Sequence, residues 1–96
     1  MIYEYEWDDK KCESNFAKHG LDFAEAGKVI ENPESITTDD VKHSLFECRR
    51  LTIGYLDNIL CTAVIHTKRN LKIRIISFRP ASKKERQYYD NRKIYK

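Results

Sequence analysis

Between residues 45 and 79 the chain strings together three apolar, β-branched segments with almost nothing between them. "LFECRRLTIGYL" (45–56) is joined to "ILCTAVIHT" (59–67) by Asp57-Asn58, and Lys68-Arg69-Asn70 leads into "LKIRIISFR" (71–79). Links this short cannot carry a crossover, so the three strands are expected to form an antiparallel meander. The second segment is apolar nearly throughout and belongs at the centre of the sheet. Pro80 cannot donate to a ladder and ends the third strand.

Shorter signals flank this meander. "IYEYEW" (2–7) alternates apolar and acidic residues, as a strand with one wet face does. Asp8 or Asp9 offers an N-cap for a helix reaching about His19, and Gly20 supplies its left-handed stop. Asp22 and Glu25 have capping-box spacing for a second helix, with Phe23, Ala26, Gly27 and Ile30 as its buried stripe and Asn32-Pro33 as its end. Residues 33–44 are polar and irregular and read as a loop. Ser82 and Glu85 form another capping box, opening a terminal helix that packs through Tyr88 and Tyr89. The expected order is β-α-α-β-β-β-α, an α+β fold with an antiparallel sheet and its helices on one face, in a single domain over residues 1–96.

Charge is distributed unevenly along this frame. Residues 1–48 hold five Lys and no Arg against twelve acids, a net −7, whereas residues 49–96 hold thirteen Lys and Arg against three acids, a net +10. All seven arginines lie in the second half, so a basic face and a polyanionic partner are expected. Cys12, Cys48 and Cys61 form no C-x-x-C pair, which argues against a zinc or redox motif and for reduced thiols. No H-x-x-x-H, phosphate-binding glycine loop or G-x-S-x-G elbow is present, so neither metal nor cofactor is expected. The acidic N-terminus and the lack of a run of about 20 apolar residues imply a cytoplasmic protein with no membrane partner.

Arg74 is the least ordinary residue in this pattern, because it interrupts an apolar strand. Plain alternation sets Arg74 on one face with Lys72, Ile76 and Phe78, and sets Arg79 on the other, unless a bulge intervenes. A guanidinium there either pairs with a carboxylate such as Glu47 or binds phosphate through its planar fork. Glu47 and Arg49 share a face of the neighbouring strand and project a carboxylate and a cation together. Such a set suits RNA cleavage without a metal, in which a base deprotonates the 2′-hydroxyl, cations stabilise the phosphorane, and an acid protonates the leaving 5′-oxygen. His19 has two readings, a cap on the C-terminal end of its helix or a proton-transfer group. Cys48 reads as an ordinary strand cysteine rather than a nucleophile.

Three blocks, "WDDKKCESNFAKHGLDFAEA" (7–26), "ECRRLTIG" (47–54) and "IRIISFRPASKKERQYY" (73–89), resemble, in order, those of BrnT-type toxins. The resemblance implies a RelE-like ribonuclease, the toxin half of a type II toxin–antitoxin pair that cleaves RNA and arrests growth. It also implies a BrnA-like antitoxin that neutralises the toxin in a heterotetramer and binds operator DNA through the antitoxin. Carried over by position, it implies Arg74, Arg79, Glu47, His19 and Arg49 as catalytic residues and Lys18 and Tyr89 as RNA contacts, to which Arg50 adds a charge. Asp9 departs from the family pattern where proline is common, Phe78 where a small residue is, and Arg50 where an apolar one is. The competing expectation is a non-catalytic module of the same fold that acts with its antitoxin as a co-repressor.

Overall fold

The computed structural model describes residues 2–40 and 47–94. Strand β1 (Glu4–Glu6) leads into helix α1 (Asp9–His19), a 3-10 turn (Phe23–Glu25) and the short helix α2 (Ala26–Ile30). Strands β2 (Ile36–Asp39), β3 (Arg49–Leu56), β4 (Leu60–Arg69) and β5 (Lys72–Pro80) follow, and helix α3 (Lys83–Ile94) closes the chain. The five strands form one sheet in the order β1-β5-β4-β3-β2.

Local chemistry accounts for most of these boundaries. Asp8 accepts the Lys11 N–H at 3.1 Å and starts α1, and Gly20, at φ 70°, ends it. Asp57 and Asn58 both adopt positive φ, 53° and 61°, the left-handed pair a tight hairpin turn demands. The Ile59 N–H closes that turn on the Leu56 carbonyl at 3.0 Å. The Ser82–Glu85 capping box is reciprocal: each residue's side chain accepts the other's backbone N–H, at 2.8 and 3.1 Å.

The α+β class and the central meander agree with expectation, and three features differ. Residues 36–39, expected in a loop, form β2 and pair antiparallel with β3, because Ile36 alternates into a core that lacks an edge strand there. Strand β1 pairs with β5 in parallel, made possible by the long return through α1 to β5, so only β2 to β5 are antiparallel. Leu45 and Phe46, expected to open the meander, lie outside the described residues.

The third difference concerns the faces. The 3-10 turn and α2 cover one face, where Leu21, Phe23, Ala26 and Val29 pack on Val64, Ile75 and Phe78, with Trp7 edge-on to Phe23. Helix α3 lies against the opposite face. Its Tyr89 packs with Ile36, Ile53 and Cys61 and meets Tyr55 at a ring separation of 5.7 Å. Apolar residues on both faces of β3 and β4 require two covers, so the helices divide between the faces instead of sharing one. Among the described residues, no helix is long and apolar enough to cross a membrane.

Gly54 sits where β3 passes under the connection from α2 to β2. A Cβ there would lie 1.9 Å from Ser35 Oγ and 2.9 Å from Ser35 Cβ, so rotating the serine cannot relieve the clash. Gly54→Ala is therefore expected to cost about 1–3 kcal/mol in urea denaturation, and Ser35→Gly in the same chain should recover part of it.

Candidate functional site

A bulge in β5 decides where the arginines point. Ile65 pairs with Ser77 but His66 pairs with Ile75, so Ile76 is an extra residue and alternation restarts after it. Ile73, Ile75 and Phe78 consequently share the α2 face, while Arg74, Ser77 and Arg79 share the other. The plain alternation that separated Arg74 from Arg79 and grouped Arg74 with Phe78 is corrected here.

The ladder then lines up residues across strands. Glu6 pairs with Arg74, Arg74 with Thr67, and Thr67 with Arg49, which sets four side chains in one row on the face opposite α2. With strands about 4.8 Å apart, the Arg49 and Arg74 backbones stand roughly 10 Å from each other across Thr67. Arg74 donates to Glu6 at 3.0 Å and leaves four of its five N–H groups for other acceptors. Thr67 turns its hydroxyl to the Cys48 carbonyl at 2.8 Å. One row further out, Glu47 receives Arg49 at 3.4 Å and Arg69 at 3.5 Å. Glu47 is thus held among cations, and the acid facing Arg74 is Glu6 rather than Glu47. Around the buried Thr67, the side chains of Arg74, Glu6, Arg49 and Glu47 are partly exposed.

Arg79 stands at the far end of the same face, under α3. It grips Glu85 with two hydrogen bonds, at 2.7 and 2.9 Å. That grip holds the Glu85 carboxyl below the usual carboxylate range, and Glu85 is also the capping-box acid of α3. Arg79 therefore ties a helix to the sheet, with its fork already filled. Tyr89 is 4% exposed in the core beneath α3, so its ring has no open face on which a base could stack. Arg50 lies on the α2 face opposite His66 and pairs with Asp39 at 3.4 Å. Neither Arg50 nor Tyr89 joins the row.

His19 and Lys18 lie at the sheet edge. Strand β1 pairs only with residues 72–74 of β5, and beyond that point α1 runs along the open edge. There the Asn15 side chain takes the place of a strand, donating to the Phe78 carbonyl at 2.6 Å and accepting the Phe78 N–H at 3.2 Å. A groove of about 340 Å³ beside this contact is lined by Lys10, Lys11, Ser14, Lys18 and His19 together with Ser77, which belongs to the same face as Arg74. Sequence reasoning missed Glu6, Thr67 and Asn15. Only the strand pairing discloses the first two, and Asn15 reads in sequence as one more polar helix residue.

On the α2 face, His66 is 7% exposed and hydrogen-bonds Thr52 through Nε2 at 2.8 Å, and Thr52 in turn meets the Thr37 hydroxyl at 2.7 Å. Burial, assisted by Arg50, pushes the His66 pKa down to about 4. The unfolded chain protonates this imidazole near pH 6.5 and the folded chain resists until about pH 4. Stability is therefore complete above pH 6.5 and falls between these values, by about 2 kcal/mol at pH 5. Thermal melts should show this loss in wild type and a flatter profile in His66→Gln, which cannot ionise. Losses from Glu85 belong below about pH 4.5, a separate window.

With this geometry in view, the comparisons are specific. A family model described as "Ribonuclease toxin, BrnT, of type II toxin-antitoxin system" matches residues 7–85. The chain is similar to the crystal structure of the Brucella abortus ribonuclease toxin BrnT, with a TM-score of 0.67 and 28% identity over 85% of this chain and 100% of that one. Among curated proteins none matches.

Proposed function

As the chain belongs to the BrnT family of ribonuclease toxins of type II toxin–antitoxin systems, we propose that it is an endoribonuclease that cuts on the sheet face opposite α2 by 2′-hydroxyl attack, with no metal. The observation that carries this reading is the row Glu6–Arg74–Thr67–Arg49, with Glu47 beside it and the charged side chains partly exposed around a buried Thr67. In the proposed step the 2′-oxygen bonds to phosphorus as the bond from phosphorus to the 5′-oxygen breaks, leaving a 2′,3′-cyclic phosphate and a free 5′-hydroxyl. Arg74 and Arg49 hold the non-bridging oxygens, whose charge grows in the phosphorane. Glu47 and His19 are the groups proposed to move protons, and Lys18 guides the strand over the β5 edge. Arg79 supports the site by anchoring α3. The chain acts in the cytoplasm, inhibits translation and growth, and is neutralised by a BrnA-like antitoxin in a heterotetramer whose antitoxin part binds operator DNA.

The test is incubation of the purified chain with plain RNA in excess chelator. Fragments ending in 2′,3′-cyclic phosphate are expected. Intact RNA in the presence of folded protein would contradict the proposal.

One observation favours a second reading. Arg74 and Arg79 each already hold a carboxylate, Glu6 and Glu85, as arginines with purely structural roles do. In that reading the chain is a non-catalytic co-repressor, and expression without antitoxin would leave growth and RNA unchanged.

A further inference from the structure

Helix α1 buries none of its eleven residues, although it lies along the β5 edge beyond Arg74. Its two flanks carry opposite chemistry. One flank turns Lys10, Lys11, Lys18 and His19 toward the groove at the β5 edge. The other presents Asp9, Cys12, Glu13, Phe16 and Ala17, the i, i+3, i+4, i+7, i+8 stripe of a helix face. With Asp22 this stripe lines a second groove, of about 480 Å³. Apolar surface forms its floor: Phe16 is 53% exposed, and the Cys12 thiol sits 3.7 Å from Asp22. The rim is made of carboxylates, no cation lines the groove, and Asp9 and Glu13 form no ion pair among the described residues.

An exposed phenylalanine ringed by three acids excludes a polyanion and selects a partner that is both cationic and apolar. The stripe runs from Asp9 to Ala17, roughly 12 Å of helix, and its i±4 ridges suit the ridges of a second helix. We infer that this groove is the docking site for a basic amphipathic helix of the antitoxin, its apolar side chains covering Phe16 and Cys12 and its Lys or Arg residues meeting Asp9, Glu13 and Asp22. The inference rests on the toxin–antitoxin reading and adds the place and chemistry of the contact. It also assigns opposite flanks of one helix to the two partners, with the antitoxin on the acidic flank and RNA on the basic one.

The test is calorimetric titration of the full chain with the antitoxin encoded beside it, comparing wild type, Phe16→Ser, Glu13→Lys and Arg74→Ala. Phe16→Ser and Glu13→Lys should each weaken binding by roughly tenfold or more. Glu13→Lys should also reduce its salt dependence, while Arg74→Ala should bind as wild type does. Wild-type affinity in both groove variants, or no binding by wild type, would overturn the inference. So would sedimentation of the chain alone as a dimer that Phe16→Ser dissociates, since a second copy would then be the occupant. RNA cleavage by the free groove variants should match wild type. Inactivity of every protein, wild type included, would remove the nuclease reading while the titration still judges the docking site.

Discussion

Arg74→Ala is expected to lower the rate of RNA cleavage by about a hundredfold or more while the chain remains folded. Arg74 sits at the centre of the cross-strand row, is partly open to solvent, and has given only one N–H to Glu6. Its remaining donors can follow the charge that accumulates on phosphorus-bound oxygens as the 2′-oxygen attacks. The pair with Glu6 is partly exposed, with 28% of each side chain accessible, so breaking it should change stability by less than about 1 kcal/mol. Arg74→Lys should restore little, because an ammonium supplies the charge without the planar fork. A rate assay on a defined RNA, with a urea melt as folding control, separates the two effects. Equal rates for wild type and Arg74→Ala would take this guanidinium out of the chemistry.

The largest effect on stability is expected at Asn15. Its carboxamide serves both backbone groups of Phe78 and donates to the Leu21 carbonyl at 3.2 Å, so one side chain closes the β5 edge and fastens α1 to it. Asn15→Leu keeps the bulk and strands the Phe78 N–H and carbonyl in a partly buried place, at a cost of about 2–3 kcal/mol. For a chain of this length that lowers the melting temperature by about 10–20 °C. Hydrogen exchange should show the loss first at the β5 amides beyond Arg74, where β1 no longer pairs. A change under about 0.5 kcal/mol would mean that water satisfies this edge equally well.

What the sequence disclosed and what it hid follow from the range of the interactions. Turns and caps are written in adjacent residues, so Asp57-Asn58, Gly20 and the Ser82–Glu85 box were legible, and the meander with them. Strand β2 was not, because "ITTD" carries one apolar residue and gains strand character only against β3. The site depended on a single bulge. Nothing in "IRIISFR" marks Ile76 as the extra residue, yet that residue brings Arg74 and Arg79 to one face and sends Phe78 to the core. The partners of the arginines were equally hidden, since Glu6 is 68 positions from Arg74 and meets it only through a parallel pairing of three residues. For Tyr89 the helix pattern was the better guide: the packing role it implied is what the structure shows, whereas the RNA contact implied by the family resemblance falls on a side chain in the core.

The most direct test of the Arg49–Arg74 face as the RNA site is an NMR titration with an oligoribonucleotide whose 2′-hydroxyls are methylated, so that it binds without being cut. The arginine side-chain Nε–H signals report each guanidinium separately. Signals of Arg49 and Arg74 are expected to move together as RNA is added, with Arg50, on the opposite face, unmoved. Movement of Arg50 with Arg49 and Arg74 at rest would place the RNA on the other side of the sheet and contradict the account.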